Sequence, residues 1–181
     1  VGISISTKIG HACYIPLGHK SKKNLDEKLV IKKIKPILED KSIKKIGQNI
    51  KFDYIILFHR GIEMFSIEDT MLIHYTLNEN PGTHGLKQLA VRHTKYGNYE
   101  RELEDFIAGY CKRNGVLKSQ FTWESIPFDV MQFYAAMDAA VTFELYELMN
   151  EAMHKNLRLV KVYKEILIPG MLFLKDCQYL N

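Results

Sequence analysis

The chain has 181 residues, of which 46% are hydrophobic and 25% charged, and its formal net charge is +4. This balance fits one globular domain with a packed core and excludes wholesale disorder. The mild positive charge permits an anionic partner without requiring one, because a lysine-rich solvated surface would give the same count. The three cysteines are far apart and form no CxxC pair, which excludes a disulfide framework or zinc finger and favours a reducing compartment. No apolar run reaches membrane-spanning length.

Short strands and longer helices are predicted along the chain. Apolar alternation and β-rich composition predict three strands: 1–6 (VGISIS), 11–19 (HACYIPLGH) and 43–47 (IKKIG). Helical periodicity predicts seven helices: about 24–38, 50–60, 70–78, 85–93, 99–110, 127–150 and 158–175. The segment 112–123 is predicted to be an irregular exposed loop, and Asn80–Gly82 a turn. Because strands come first and helices dominate the rest, we expect a mixed sheet with helices packed on it.

Six residues carry signals for helix ends. Asn24 followed by Glu27 resembles a capping box at the start of the first helix, and Pro36 should kink that helix or end it early. Gly61 is placed to close the second helix, and Asp69 to cap the third. Pro127 suits the first turn of the long helix.

Two aspartates interrupt apolar helical stripes. Asp138 lies in the stripe of the long helix within YAAMDAAV, and Tyr134 precedes it by four residues, which places both on one face. Asn49 and Asp53 show the same spacing in IGQNIKFDYIIL. We therefore expect both carboxylates to point inward and to approach each other in the fold, with Tyr134 beside them.

A buried carboxylate needs a basic partner, a helix N-terminus or a cation. Neither aspartate starts a predicted helix, and neither stripe offers an obvious basic partner, so a structural role and a cation site both stay open. All-oxygen ligation would favour Mg²⁺ or Mn²⁺. Five histidines show no metal-ligand spacing and are interpreted as satisfied or exposed: His11, His19, His74, His84 and His93.

Five stretches in register make a family recognisable. In chain order they are HACYIPLGH, IGQNIKFDYIIL, EDTMLIHYTLN, HGLKQLA and YAAMDAAVTFELY. Together they resemble the 3′→5′ proofreading exonuclease domain of family A DNA polymerases, of the bacterial DNA polymerase I type. The resemblance covers residues 1–151, and residues 152–181 are similar to the helix that leads from that domain toward the polymerase domain.

The resemblance implies a fold, a site and a setting. The family fold is ribonuclease H-like α/β, a mixed sheet flanked by helices, of the DEDDy exonuclease type. Its exonucleases bind two divalent ions, Mg²⁺ or Mn²⁺, through four acidic residues, and a tyrosine positions the attacking water. By this resemblance Asp53 and Asp138 are metal ligands, Tyr134 joins them as a catalytic residue, and Asn49 holds the substrate strand. The implied partners are a single-stranded DNA 3′ end and a polymerase domain of the same chain, in a monomer in the cytoplasm of a bacterial or phage-infected cell.

The sequence also departs from the family pattern. The first motif, Asp-x-Glu on a strand before VGISIS, is absent, so two of the four carboxylates are missing. We expect that an upstream segment carries it and that this chain alone is a poor nuclease. Thr83 stands before His84 where the bacterial enzymes can have a basic residue, and 96–126 aligns poorly.

Two other interpretations stay open. One is a non-catalytic exonuclease fold, kept as a scaffold or a guide for DNA. The other is a ribonuclease D-like enzyme that processes RNA, which shares the second and third motifs.

Overall fold

The structure, a computed structural model, describes residues 1–20 and 24–179. Its strands are β1 (Gly2–Lys8), β2 (His11–Pro16), β3 (Lys45–Gly47) and β4 (Ile67–Asp69). The first helices are α1 (Glu27–Glu39), α2 (Ile50–Phe58), α3 (Thr70–Leu77), α4 (Leu86–His93) and α5 (Arg101–Asn114). The later helices are α6 (Phe128–His154), α7 (Leu157–Val162) and α8 (Ile168–Tyr179). A π-helical turn, Tyr163–Leu167, joins α7 to α8, and short 3₁₀ turns lie at Lys118–Gln120 and Trp123–Ser125.

The strands form one antiparallel pair and one parallel pair. β1 and β2 make an antiparallel hairpin in which Gly2 lies opposite Pro16, whereas β3 and β4 are parallel, with Lys45 opposite Ile67. Helix α6 contacts β1, β2 and β3, so one long helix backs both pairs. The expected mixed arrangement of strands with helices packed on them is therefore confirmed, although within the described residues the two pairs do not share a ladder. β4 was not predicted, because three residues are too few to show a period of two.

The start of α1 differs from the prediction. Asp26 is the N-cap, and its carboxylate accepts a hydrogen bond from the Leu29 N–H at 2.7 Å. Asn24 is occupied elsewhere, since its amide bonds both the N–H and the C=O of His19 at 2.8 and 2.7 Å. The capping box expected at Asn24 is therefore wrong.

The end of α1 lies at Glu39, one residue past the expected end near Leu38. The helix therefore continues three residues beyond Pro36, and of the two effects expected of this proline the early end is wrong. The last turn is held from outside: Lys35 donates to the Gly61 C=O at 2.7 Å, and Glu39 accepts from the Glu63 N–H at 3.1 Å. These contacts offset the hydrogen bond that a proline cannot donate.

Other helix ends follow the prediction more closely. Gly61 has a φ of 75° just beyond α2, where the Ile62 N–H bonds the Leu57 C=O and closes the helix. Pro127 is the residue before α6 rather than in its first turn, and the helix runs four residues past the expected Asn150, to His154.

Three apolar clusters form the core of the described residues, and two of them position the site. The first joins α3, α4 and α6 around Val141 and Leu145, both of which are fully buried. The second joins α1, α2 and α8 around Ile50 and Ile62. The first cluster holds α4 and α6, and the second holds α2. These helices bear the candidate site residues, so the two clusters determine where those residues lie.

Tyr163 attaches the C-terminal helices to this core. Its ring is buried, and its hydroxyl accepts a hydrogen bond from the Asp69 N–H at 2.8 Å and donates to Glu68 Oε2 at 2.9 Å. Helix α8 in turn packs against α2. Within the part of the chain that the structure describes, no helix combines the length and apolar content needed to cross a membrane.

Candidate active site

Tyr134 and Asp138 lie together on α6, as the four-residue spacing predicts. Both residues are half-buried, and Tyr134 packs at the edge of the core. Burial raises the pKa of the Tyr134 phenol, and the negative charge of the nearby Asp138 carboxylate raises the pKa further. At neutral pH Tyr134 is therefore a neutral phenol that can donate or accept a hydrogen bond but cannot act as a base.

Asp138 has a basic partner on a different helix. Lys87 of α4 forms an ion pair with Asp138 Oδ1, and the Tyr99 hydroxyl donates to the same oxygen at 2.6 Å. The sequence left pairing with a basic residue open because neither stripe offers one, and the partner indeed comes from a different helix. Lys87 lies 51 positions earlier in the chain, within the recognised stretch HGLKQLA, so only the packing of α4 on α6 brings the two together.

Asp53 does not point into the core. It belongs to the first turn of α2, and the residue is exposed, so its expected inward orientation is wrong. Protein atoms still surround the carboxylate on its other sides. These atoms desolvate the carboxylate, and this desolvation together with the neighbouring Asp69 charge raises the pKa of Asp53 to about 6. Solvent can reach this carboxylate, but its surroundings disfavour its negative charge. A bound cation would therefore stabilise the charged form.

Asp69 caps α3 as predicted, and it also serves α2. Its carboxylate accepts from Met71 and Leu72 at the start of α3, and from Asn49 and Ile50 at the start of α2. Desolvation raises the pKa of this buried carboxyl, although the four N–H donors favour its charged form. One side chain thus fixes the angle between two helices, and through α2 it positions Asp53.

Asn49 lies just before α2 rather than within it. Its backbone is left-handed, with a φ of 55°, a conformation that asparagine tolerates better than most residues. The residue is exposed, and its side chain does not cap the helix. The idea that Asn49 and Asp53 share one helical face is therefore wrong, but the Asn49 amide is accessible to a ligand.

The structure pairs the four site residues within two helices, α6 and the start of α2. Tyr134 and Asp138 are together, while Asn49 and Asp53 lie at the start of α2 beside Asp69. Across residues 1–20 and 24–179, no hydrogen bond or ion pair joins Asp53 to Asp138, and no group of three metal-ligating His, Cys, Asp or Glu side chains occurs. Asp53 and Asp138 still fit a hard divalent cation, because both offer carboxylate oxygens as ligands and each is at least partly accessible.

Comparisons with known proteins agree on one family. The family model described as a 3′–5′ exonuclease matches residues 1–154. The DNA polymerase of Escherichia phage T5 is 38% identical over 149 residues, which cover 78% of this chain and 17% of that protein. DNA polymerase I of Rhizobium leguminosarum is 34% identical, and the match covers 77% of this chain and 14% of that protein. DNA polymerase I of Pseudomonas aeruginosa is 31% identical, and the match covers 93% of this chain and 18% of that protein. The chain spans less than a fifth of the length of these curated relatives.

Proposed function

Since the chain belongs to the 3′–5′ exonuclease family, we propose that it is the proofreading part of a DNA polymerase. It would hydrolyse the last phosphodiester bond at the 3′ end of single-stranded DNA. The observation that carries this proposal is the Tyr134–Asp138 pair on one face of α6, in a chain that matches the family model over residues 1–154. The relatives described above are named as DNA polymerases, which favours DNA over the RNA substrate of a ribonuclease D-like enzyme.

Exonucleases of this family generally use divalent metals. Asp138 and Asp53 would hold Mg²⁺ or Mn²⁺, two ions in the complete domain. When bound, these ions supply positive charge that activates water and stabilises the charge on the phosphate. Asp53 fits this role because a cation would offset the desolvation and the repulsion from Asp69 that raise its pKa.

Tyr134 would orient the attacking water. Its raised pKa keeps the hydroxyl protonated, so it would hold the water by a hydrogen bond while donating no charge of its own. The water oxygen would bond to the terminal phosphorus as the bond from that phosphorus to the neighbouring 3′ oxygen breaks, and the proton that the water loses would end on that 3′ oxygen. The products are a nucleoside 5′-monophosphate and a shortened strand with a free 3′ hydroxyl. Asn49, exposed at the start of α2, would hold the strand through its amide.

Residues 152–181 would lead from the exonuclease domain toward the polymerase domain of the same chain. Tyr163 supports this role, because its hydroxyl attaches the segment to β4.

The test is Asp138→Ala in the complete natural protein that carries this sequence. We expect release of nucleotides from a labelled single-stranded 3′ end to fall by on the order of a hundredfold or more, since a charge-stabilising group is lost. Asp129→Ala is the matched control, because Asp129 is an exposed aspartate near the start of the same helix. Near-normal hydrolysis by the Asp138→Ala protein would refute the assignment.

One observation favours a second candidate, a non-catalytic exonuclease fold that guides DNA. Lys87 already neutralises Asp138, as a structural ion pair would. On this alternative the wild-type protein binds single-stranded DNA without cleaving it in Mg²⁺ or Mn²⁺, and Asp138→Ala lowers the melting temperature more than it changes any activity.

A further inference from the structure

We propose that Lys87 is the resident counter-ion of Asp138 and that a divalent cation must displace its ammonium group to bind there. The proposal rests on the proposed function in one respect, since it takes Asp138 to be a metal ligand. Lys87 is then a positioning residue that competes with the metal.

The ammonium group of Lys87 is enclosed by aromatic rings. Its Nζ lies 4.2 Å from the ring centroid of Tyr99 and 4.2 Å from that of Tyr134, and its side chain is only 26% exposed. A lysine side chain loses much conformational freedom when it is ordered, so these two cation–π contacts mark a held position rather than a solvated one.

The enclosed ammonium occupies the place where a metal would bind. Lys87 Nζ contacts Asp138 Oδ1 and lies 2.9 Å from the Tyr99 hydroxyl, which itself donates to Oδ1. An ammonium and a divalent cation at one carboxylate oxygen would repel each other strongly in this partly desolvated setting. The two cations therefore exclude each other at Asp138.

A second carboxylate offers the displaced ammonium another partner. Glu100 Oε1 lies 3.5 Å from Lys87 Nζ, and the Glu100 side chain is 24% exposed. A small shift would transfer Nζ from Asp138 to Glu100 while it stays against the Tyr99 ring. The metal would thus exchange with Lys87 instead of expelling it into water.

The test is Mn²⁺ binding measured by calorimetry without DNA, in the complete natural protein and its variants. Lys87→Met keeps the apolar stem between the two rings and removes the charge, so we expect Mn²⁺ to bind about tenfold tighter than in wild type. Lys87→Arg keeps the charge and should bind Mn²⁺ as wild type does. Unchanged or weaker binding by Lys87→Met would overturn the proposal.

Thermal melting provides a second readout. In EDTA, Lys87→Met should melt below wild type because Asp138 has lost its counter-ion, and added Mn²⁺ should raise its melting temperature by more than that of wild type. Lys87→Gln replaces Lys87→Met in both assays if the latter does not fold. If Asp138→Ala binds Mn²⁺ as well as wild type does, the proposed function itself fails. If Asp138→Ala loses affinity while Lys87→Met gains none, only the counter-ion proposal fails.

Discussion

Replacing Asp69 by alanine should destabilise the chain well beyond the loss of an ordinary helix cap. The carboxylate is 1% exposed and accepts from two N–H groups of α3, Met71 at 2.8 Å and Leu72 at 3.3 Å. It also accepts from the Ile50 N–H at 2.9 Å and the Asn49 N–H at 3.2 Å at the start of α2. The substitution therefore frees donors on two helices at once.

The expected magnitude follows from these contacts. Losing the α3 cap should cost about 1 kcal/mol in the free energy of unfolding. The Ile50 N–H belongs to a buried residue, so leaving it unpaired should cost about 2 kcal/mol more. Asn49 is exposed, and water can replace its bond at little cost. A total of about 3 kcal/mol corresponds to a melting temperature lower by roughly 6–12 °C for a chain of this size.

Thermal unfolding followed by circular dichroism at pH 7, without metal, measures this loss. Asp26→Ala is the matched control, because the exposed Asp26 caps α1 through a hydrogen bond to the Leu29 N–H and, within residues 1–20 and 24–179, bonds no second helix. It should cost about 1 kcal/mol. A loss of melting temperature in Asp69→Ala no larger than in Asp26→Ala would contradict the role of Asp69 in joining two helices.

Two further predictions concern the proposed site. The pKa of Asp53 is raised from 3.8 to about 6 in the folded chain, so its ionisation costs stability as the pH rises through that window. In metal-free buffer Asp53→Asn should therefore melt above wild type at pH 7.5, with a gain that shrinks as the pH falls from 6 toward 4; a gain independent of pH would contradict this. Tyr134→Phe should slow 3′-end hydrolysis by roughly a hundredfold or less, because it removes an orienting hydroxyl and keeps the packed ring. Its melting temperature should fall only slightly, and a rate equal to that of wild type would show that the Tyr134 hydroxyl does not position the water.

The sequence alone determined the features that depend on local spacing and on the recognised stretches. Tyr134 and Asp138 are one helical turn apart, so the period of α6 places them together wherever the helix packs. Asp69 caps α3 because it directly precedes the helix, which is also a matter of local sequence. The ribonuclease H-like α/β fold class is confirmed by the family match, which also covers the stretches that contain Asn49 and Asp53.

Only the tertiary structure decided which partners those residues have. Lys87 reaches Asp138 because α4 packs on α6, and Tyr99 joins them from the segment before α5. Asp69 bonds the start of α2, and Tyr163 bonds the Asp69 N–H across 94 positions of the chain. The exposure of Asp53 also belongs here, because an apolar helix such as α2 does not reveal from its composition which side neighbouring elements cover. Helical periodicity fixes the relative direction of side chains within one element, whereas contacts between elements depend on how the core packs, and no local pattern encodes that.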